Sequence, residues 1–140
     1  KKTLEPCAKQ VEWTHFTRWQ ELPSAYARGD VFCFPSRYDG WGLALVEAMA
    51  VGMPVIGTEQ TGAALEFLKP GVNGWMLPVD NLDALVKAMR EAITLSPERR
   101  QQMSLAARQS VAEHSLQHGA QRFMNAAKEA LQRRTKVVAV

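Results

Sequence analysis

Apolar residues in the first half of this chain fall into short runs separated by glycine and proline, and each run predicts one element. Val11 to Phe16 (VEWTHF) alternates and is rich in β-formers, which predicts a strand. Val31 to Phe34 is apolar throughout, as suits a strand covered on both faces. Pro54 to Gly57 and Trp75 to Leu77 predict a third and a fourth strand. Helices are predicted between them. Leu22 to Ala27 carries Pro23 in its first turn, where a missing N–H is harmless. Leu43 to Val51 reads as a short buried helix stopped by Gly52 and Pro54, and Ala63 to Leu68 as another.

Beyond Leu77 the pattern becomes helical. Asp80 is expected to cap a helix running to about Leu95, with Asp83 forming a weak capping box. Ser96-Pro97-Glu98 has the form of a helix start. A further helix is expected from near Ser115, with Phe123, Met124, Ala127 and Leu131 at helical spacing. Residues before Val11 read as the end of a helix. The alternation of strands and helices predicts an α/β fold, a Rossmann-like parallel sheet flanked by helices. The late helices then pack across that sheet or onto something outside the chain.

A chain of 140 residues supports one domain, and 46% hydrophobic with 22% charged residues is a globular balance. The formal net charge of +3 is too small to argue for nucleic acid. No apolar run reaches the roughly 18 residues that a bilayer span requires. Cys7 and Cys33 form no metal or redox motif. Cys33 reads as a buried thiol, and a reduced, cytosolic compartment fits the pair.

The most informative stretch is Pro35 to Glu47, PSRYDGWGLALVE. It places a loop bearing Asp39, Gly40 and Gly42 between a strand and a helix N-terminus. Backbone N–H groups converge at such a junction, the helix dipole is positive there, and glycine permits close approach of a phosphate. Gly40, Gly42, Leu43 and, from the next loop, Gly62 are candidates to offer N–H groups to a diphosphate and a sugar. Asp39 and Glu47 bracket the loop with seven residues between them. A carboxylate accepts two O–H donors at once, which suits sugar hydroxyls.

Glu47 lies within an otherwise apolar helix, where a buried carboxylate requires a partner. Ribose hydroxyls are one candidate; a structural ion pair or bulk solvent are the others. Asp39 precedes glycine, which is equally an ordinary turn signal. Glu66 follows a glycine turn and could cap or order it. Arg37 could neutralise phosphate or stand solvated in its loop, and Trp41 is expected to pack at the pocket's edge. His15, His114 and His118 are scattered, and no metal-ligand spacing, Asp-x-Asp pair or Ser-His-Asp arrangement emerges. No metal or cofactor is expected.

The run PSRYDGWGLALVEAMAVGMPVIGTEQTGAALEFLKPGVNGWMLPVDNLDAL closely resembles the donor-binding, C-terminal domain of retaining GT-B glycosyltransferases of the group-one type, glycosyltransferase family four. The resemblance covers about Val31 to Leu85, and Ala27 to Asp30 (ARGD) fits the same pattern. It implies that Glu47 binds the ribose of a nucleotide donor. Asp39 occupies a position that is usually Glu and faces the donor sugar. Asp39 and Glu47 are thus the pair expected to carry the chemistry. Backbone amides from Gly40 to Leu43 would hold the diphosphate. Thr61 and Gly62 occupy a turn that is usually Gly-Gly, with Ala63 in place of its second glycine, and Glu66 matches the glutamate after that turn. Ser36, Arg37 and Trp41 complete the expected donor-binding set.

The resemblance further implies a nucleotide-sugar substrate, most simply a UDP-sugar, and a glycan or lipid-linked acceptor in bacterial polysaccharide assembly. The chain then reads as a single, N-terminally truncated donor-binding domain whose partner is an acceptor-binding N-terminal domain. A cytoplasmic location is expected, and the basic tail (Arg133, Arg134, Lys136) with the amphipathic last helix is expected to meet the N-terminal domain, peripheral contact with anionic lipid being the alternative. Two other readings stay open: a non-catalytic nucleotide-binding or assembly module that kept this half-fold, and a GT-B epimerase.

Overall fold

The computed structural model describes residues 10–15 and 18–138, with side chains of the last helix described as far as Arg133. After a 3-10 turn (Trp19–Glu21) the elements run α1 (Leu22–Tyr26), β1 (Phe32–Phe34), α2 (Leu43–Ala50), β2 (Val55–Thr58), α3 (Gly62–Phe67), β3 (Gly74–Leu77), α4 (Leu82–Ile93), α5 (Pro97–Val111) and α6 (Leu116–Val138). The sheet is parallel, in the order β1-β2-β3, with Phe32 opposite Val55 and Val55 opposite Gly74. α2 and α3 make the two crossovers, as a parallel sheet requires.

Every residue of the central strand β2 is buried, because helices cover both of its faces. On one face Leu45, Val46 and Met49 of α2, Ala63 and Ala64 of α3, and Ala107 and Val111 of α5 form one core with Val55. On the other, Ile56 and Leu77 pack against Ala88 and Ala92 of α4. α2 is apolar on nearly every side because the sheet lies under it and α5 over it. Arg108 of α5 donates from Nη2 to the Val51 carbonyl at 2.9 Å, placing a cation at the C-terminus of α2. Gly52 ends that helix at φ 92°.

Buried Asn73 ties the remaining layers together. Its Oδ1 accepts the Lys69 N–H at 2.7 Å, while Nδ2 donates to the Phe67 carbonyl and to Ser110 Oγ of α5. The late helices therefore divide: α4 covers the sheet and α5 covers α2, whereas α6 leaves Phe123 and Met124 exposed. Among the described residues, no helix is long and apolar enough to cross a membrane.

Three expectations are corrected. Val11 to His15 has no regular structure, since alternation makes a strand only where a neighbouring edge takes its N–H groups; Phe16 lies outside the described residues. The helix end expected before Val11 also falls outside them, apart from Gln10. β1 is only partly covered: Phe32 and Phe34 are half-buried, and Cys33 is exposed rather than a core thiol. It faces a crevice of about 400 Å³ beside Met89 and Ile93. Asp80 does not cap α4. Asn81 does, its Oδ1 accepting the Ala84 N–H at 2.9 Å, while Asp80 takes φ 57° one residue earlier.

The β2–β3 contact has no room for a side chain at Gly74, where an added Cβ would lie 2.0 Å from the Val55 carbonyl oxygen. Gly40, by contrast, has no heavy atom within 4 Å of such a position. Gly74→Ala is expected to destabilise the chain by about 2 kcal/mol or more in urea unfolding, and Gly40→Ala by well under about 1 kcal/mol. Equal effects would contradict the close β2–β3 approach.

Candidate functional site

The loops leaving β1 and β2 run side by side beyond the carboxyl ends of the strands. Asp39 N–H donates to the Gln60 carbonyl at 3.1 Å, and Asp39 and Thr61 form a parallel bridge. Two carbonyls of the β1 loop are held by the first amides of α3. The Asp39 carbonyl accepts from Gly62 N–H at 3.3 Å, and the Trp41 carbonyl from Ala63 N–H at 2.7 Å.

These bonds orient the loop's own donors. A trans peptide is planar, so its C=O and N–H point in opposite directions, and no peptide here is cis. Fixing the Asp39 carbonyl on α3 turns the Gly40 N–H away from α3. Fixing the Trp41 carbonyl does the same for Gly42 N–H. Beside them are the Leu43 and Ala44 N–H groups in the first turn of α2, which no helix can satisfy internally. Among the described residues none of these four amides has an acceptor. Gly62 is thereby corrected: its N–H holds the loop and is not available to a ligand.

Glycine is required at two of these positions. Gly42 is the N-cap of α2 in the left-handed region (φ 85°, ψ 56°). A Cβ there would come within 2.5 Å of Thr61 Cγ2, and one on Gly62 within 2.6 Å of the Gly40 carbonyl oxygen. The loops meet closely, backbone to backbone at Gly62 and backbone to the Thr61 methyl at Gly42, because neither glycine carries a side chain.

Asp39 serves this turn through its side chain, Oδ1 accepting the Trp41 N–H at 3.0 Å. Thr61 is fully buried, its hydroxyl 3.4 Å from that of Thr58, which donates to the Ser36 carbonyl at 2.6 Å. Ser36 Oγ donates to the Tyr38 carbonyl at 3.0 Å. Arg37 is engaged rather than free, its Nε donating to Asp80 Oδ1 at 2.6 Å across to the loop after β3. That pair is highly exposed, so it is screened and contributes little to stability. Glu66 is exposed on α3, away from the contacts that join the loops.

Glu47 is half-buried on α2, and its partner in the chain is neither an ion pair nor bulk solvent. Tyr26 of α1 donates its hydroxyl to Glu47 Oε2 at 3.0 Å. Burial, and then the bond to Glu47, push the Tyr26 phenol up to about 12, so it remains a donor throughout the physiological range. Sequence reasoning missed Tyr26; its place two turns of chain before an apolar strand held no sign of a partner in α2. It also missed His114, whose ring lies 5.5 Å from that of Trp41 and 5.2 Å from that of Phe67.

Two crevices lie on the α4 side of the sheet, only the first of them beside these loops, and neither is lined by Asp39, Gly42 or Glu47. One, of about 460 Å³, is bounded by Pro35, Arg37, Thr58, Pro78 and Asp80 on the α4 side. The other is the Cys33 crevice. The four unpaired amides lie around the start of α2, where Gly40 and Leu43 are exposed, Ala44 half-buried and Gly42 buried, and with half-buried Glu47 further along the helix they form a shelf at the α2 side of the sheet.

The architecture defines an α/β domain with a polar, glycine-lined shelf at the carboxyl ends of parallel strands, where such sheets bind ligands. Residues 5–110 match the family of glycosyl transferases group 1, and the chain belongs to that family. It is 33% identical over 110 residues to a GDP-mannose-dependent alpha-mannosyltransferase of Corynebacterium glutamicum, covering 79% of this chain and 26% of the relative. It is 35% identical over 88 residues to the amylovoran biosynthesis glycosyltransferase AmsK of Erwinia amylovora, covering 59% and 21%. It is also 35% identical over 89 residues to a subunit of a UDP-N-acetylglucosamine–peptide N-acetylglucosaminyltransferase, GtfA, of Streptococcus gordonii, covering 60% and 18%.

Solved structures agree on the fold. A glycosyltransferase from Rickettsia africae superimposes with a TM-score of 0.79 at 21% identity, covering 93% of this chain and 35% of that one. The C-terminal domain of a group 1 family protein, LpcC, from Francisella tularensis gives 0.67 at 24% identity, covering 79% and 60%. The fold is that of a GT-B C-terminal domain. The chain spans about a quarter of the length of the curated relatives it matches, 27% and 21% of the first two.

Burial of the Tyr26 phenol, and then its bond to Glu47, lead to a pH dependence of stability. A phenol whose folded-state value exceeds the unfolded one stabilises the fold fully below the unfolded value, about 10, and that contribution is lost as pH rises toward the folded value of about 12. Urea unfolding at pH 9 and pH 11 should therefore show a smaller loss of stability in Tyr26→Phe than in the unaltered chain. The same loss in both would contradict a phenol held up by burial and by Glu47.

Proposed function

We propose that this chain is the donor-binding part of a retaining glycosyltransferase of family four. It would transfer a sugar from a nucleoside-diphosphate sugar to a glycan or lipid-linked acceptor in bacterial polysaccharide assembly, on the cytoplasmic side of the membrane. The observation that carries this reading is the shelf: four amides without acceptors around the left-handed Gly42, with Glu47 one and a half helical turns behind them. The amides bind the diphosphate, the N-terminus of α2 adds a favourable field, and Glu47 accepts the ribose hydroxyls on the carboxylate oxygen that Tyr26 does not occupy. Asp39 faces the donor sugar with its second oxygen, the first being held by Trp41 N–H.

In a front-face reaction the acceptor oxygen attacks the anomeric carbon from the side on which the diphosphate leaves, and configuration is retained. The protein's contribution is to hold the donor and to place N–H donors where negative charge grows on the departing phosphate. That charge also calls for cations, and Arg37 is engaged by Asp80. The remaining cations, and the acceptor site, would come from the rest of a longer polypeptide, so this chain alone binds donor without turning it over. A UDP-sugar is the donor favoured by the sequence resemblance. GDP-mannose is the competing donor, because two relatives are named for it.

The second reading is a nucleotide-binding or assembly module without catalysis. It draws on the engagement of Asp39 in its own turn and of Arg37 with Asp80.

Calorimetric titration of the 140-residue chain with UDP and with GDP tests the reading. One of the two should bind, and Glu47→Ala should weaken it by about tenfold or more, the value of a charge-assisted hydrogen bond. Binding that is indifferent to Glu47→Ala, or absent for both nucleotides, would contradict it.

A further inference from the structure

The donor loop is attached to a part of the chain that the proposed chemistry does not use. Trp41, between Gly40 and Gly42, packs its ring edge-on to Phe67 at the end of α3, with centroids 6.0 Å apart and planes at 84°. His114 closes the cluster from the junction of α5 and α6. Its ring tilts against Trp41 at 31° and 5.5 Å, and meets Phe67 at 66° and 5.2 Å. The backbone under His114 is itself fixed, its N–H donating to the Val111 carbonyl at 2.9 Å at the end of α5. Val111 is buried in the core that contains α2 and α3. The His114 ring is therefore carried on a rigid support, although the residue is exposed.

Both amide and carbonyl of Trp41 belong to the machinery of the loop. Its N–H is bound by Asp39 Oδ1, and its carbonyl by Ala63 N–H. The peptide that contains this carbonyl also contains the Gly42 N–H. Glycines on either side leave Trp41 with no neighbouring side chain to restrain it, so rotation about its φ and ψ is limited by those two hydrogen bonds together with its ring contacts. Rotation of that one peptide plane would withdraw Gly42 N–H from the shelf.

We propose that His114 is a positioning residue for the nucleotide-binding loop: by packing on Trp41 it holds the Trp41–Gly42 peptide in the orientation that presents its amide. The assignment rests on the reading of the shelf as a diphosphate site, and it extends that site to the α5–α6 junction. It also makes the junction a place from which α6 can influence donor binding.

Two measurements on the 140-residue chain decide it. Amide hydrogen exchange, without ligand, should be faster by about fivefold or more at Trp41 and Ala63, whose N–H groups bind Asp39 Oδ1 and the Trp41 carbonyl, in His114→Ala, with α4 unchanged. Affinity for the nucleotide that the unaltered chain binds should fall by about three- to tenfold in His114→Ala and be restored in His114→Phe, which keeps a ring on Trp41. A purely structural role would lower the unfolding midpoint while leaving the exchange at Trp41 and Ala63 and the affinity unmoved, and that result overturns the proposal. Loss of affinity in Glu47→Ala but not in His114→Ala also overturns it while leaving the diphosphate reading intact. If the unaltered chain binds neither UDP nor GDP, the diphosphate reading fails. The exchange at Trp41 and Ala63 then decides whether His114 holds the loop: unchanged exchange removes it from that role.

Discussion

Two backbone hydrogen bonds, from Gly62 and Ala63 at the start of α3 to the carbonyls of Asp39 and Trp41, set the conformation on which the site depends. They continue the pairing of β1 and β2 past the ends of those strands and fasten one loop to the other. Peptide planarity does the rest, since each carbonyl held on α3 turns the following N–H outward. The close approach of Gly62 to the Gly40 carbonyl, and of Gly42 to the Thr61 methyl, shows how little space separates the two loops. A glycine-rich loop is often described as permissive, but here the missing side chains serve close packing, and the loop is held at several points.

Glu47 depends on a second constraint, the burial of α2 between the sheet and α5. Leu45 and Met49 of this helix are fully buried, each contributing about 1.5–3 kcal/mol through removal of apolar surface from water. That packing fixes the rotation of the helix about its axis and leaves Glu47 on the half-buried side next to α1. Tyr26 meets the carboxylate with a neutral donor, which satisfies one oxygen without neutralising the charge. An arginine in its place would make the carboxylate a structural ion pair. A neutral phenol leaves it able to accept further hydroxyl donors.

From Val31 to Leu77 the order of elements was legible in the sequence because its signals are local: apolar runs too short for helices, and glycine or proline at each boundary. The junction of β1, glycine loop and α2 was legible for the same reason. What was not legible depends on distant partners. Val11 to His15 alternates like a strand but pairs with nothing described, and alternation alone does not supply a neighbour. Asp80 has cap chemistry, yet its left-handed backbone and its pairing with Arg37 shift the cap to Asn81. Gly62 next to a polar turn suggests an anion-binding amide as readily as a structural one, and only the position of Asp39 decides between them. Tyr26 and His114 act on residues far along the chain, and their spacing contains no trace of those contacts.

The most direct measurement is a nuclear magnetic resonance titration of the 15N-labelled chain with UDP and GDP, following individual amides. The account predicts the largest shifts at Gly40, Gly42, Leu43 and Ala44, with Gly62 and Ala63 nearly still because their N–H groups are already bound within the chain. Shifts concentrated at Gly62 and Ala63, or among Asp80 to Leu85 beside the α4 crevice, would contradict it.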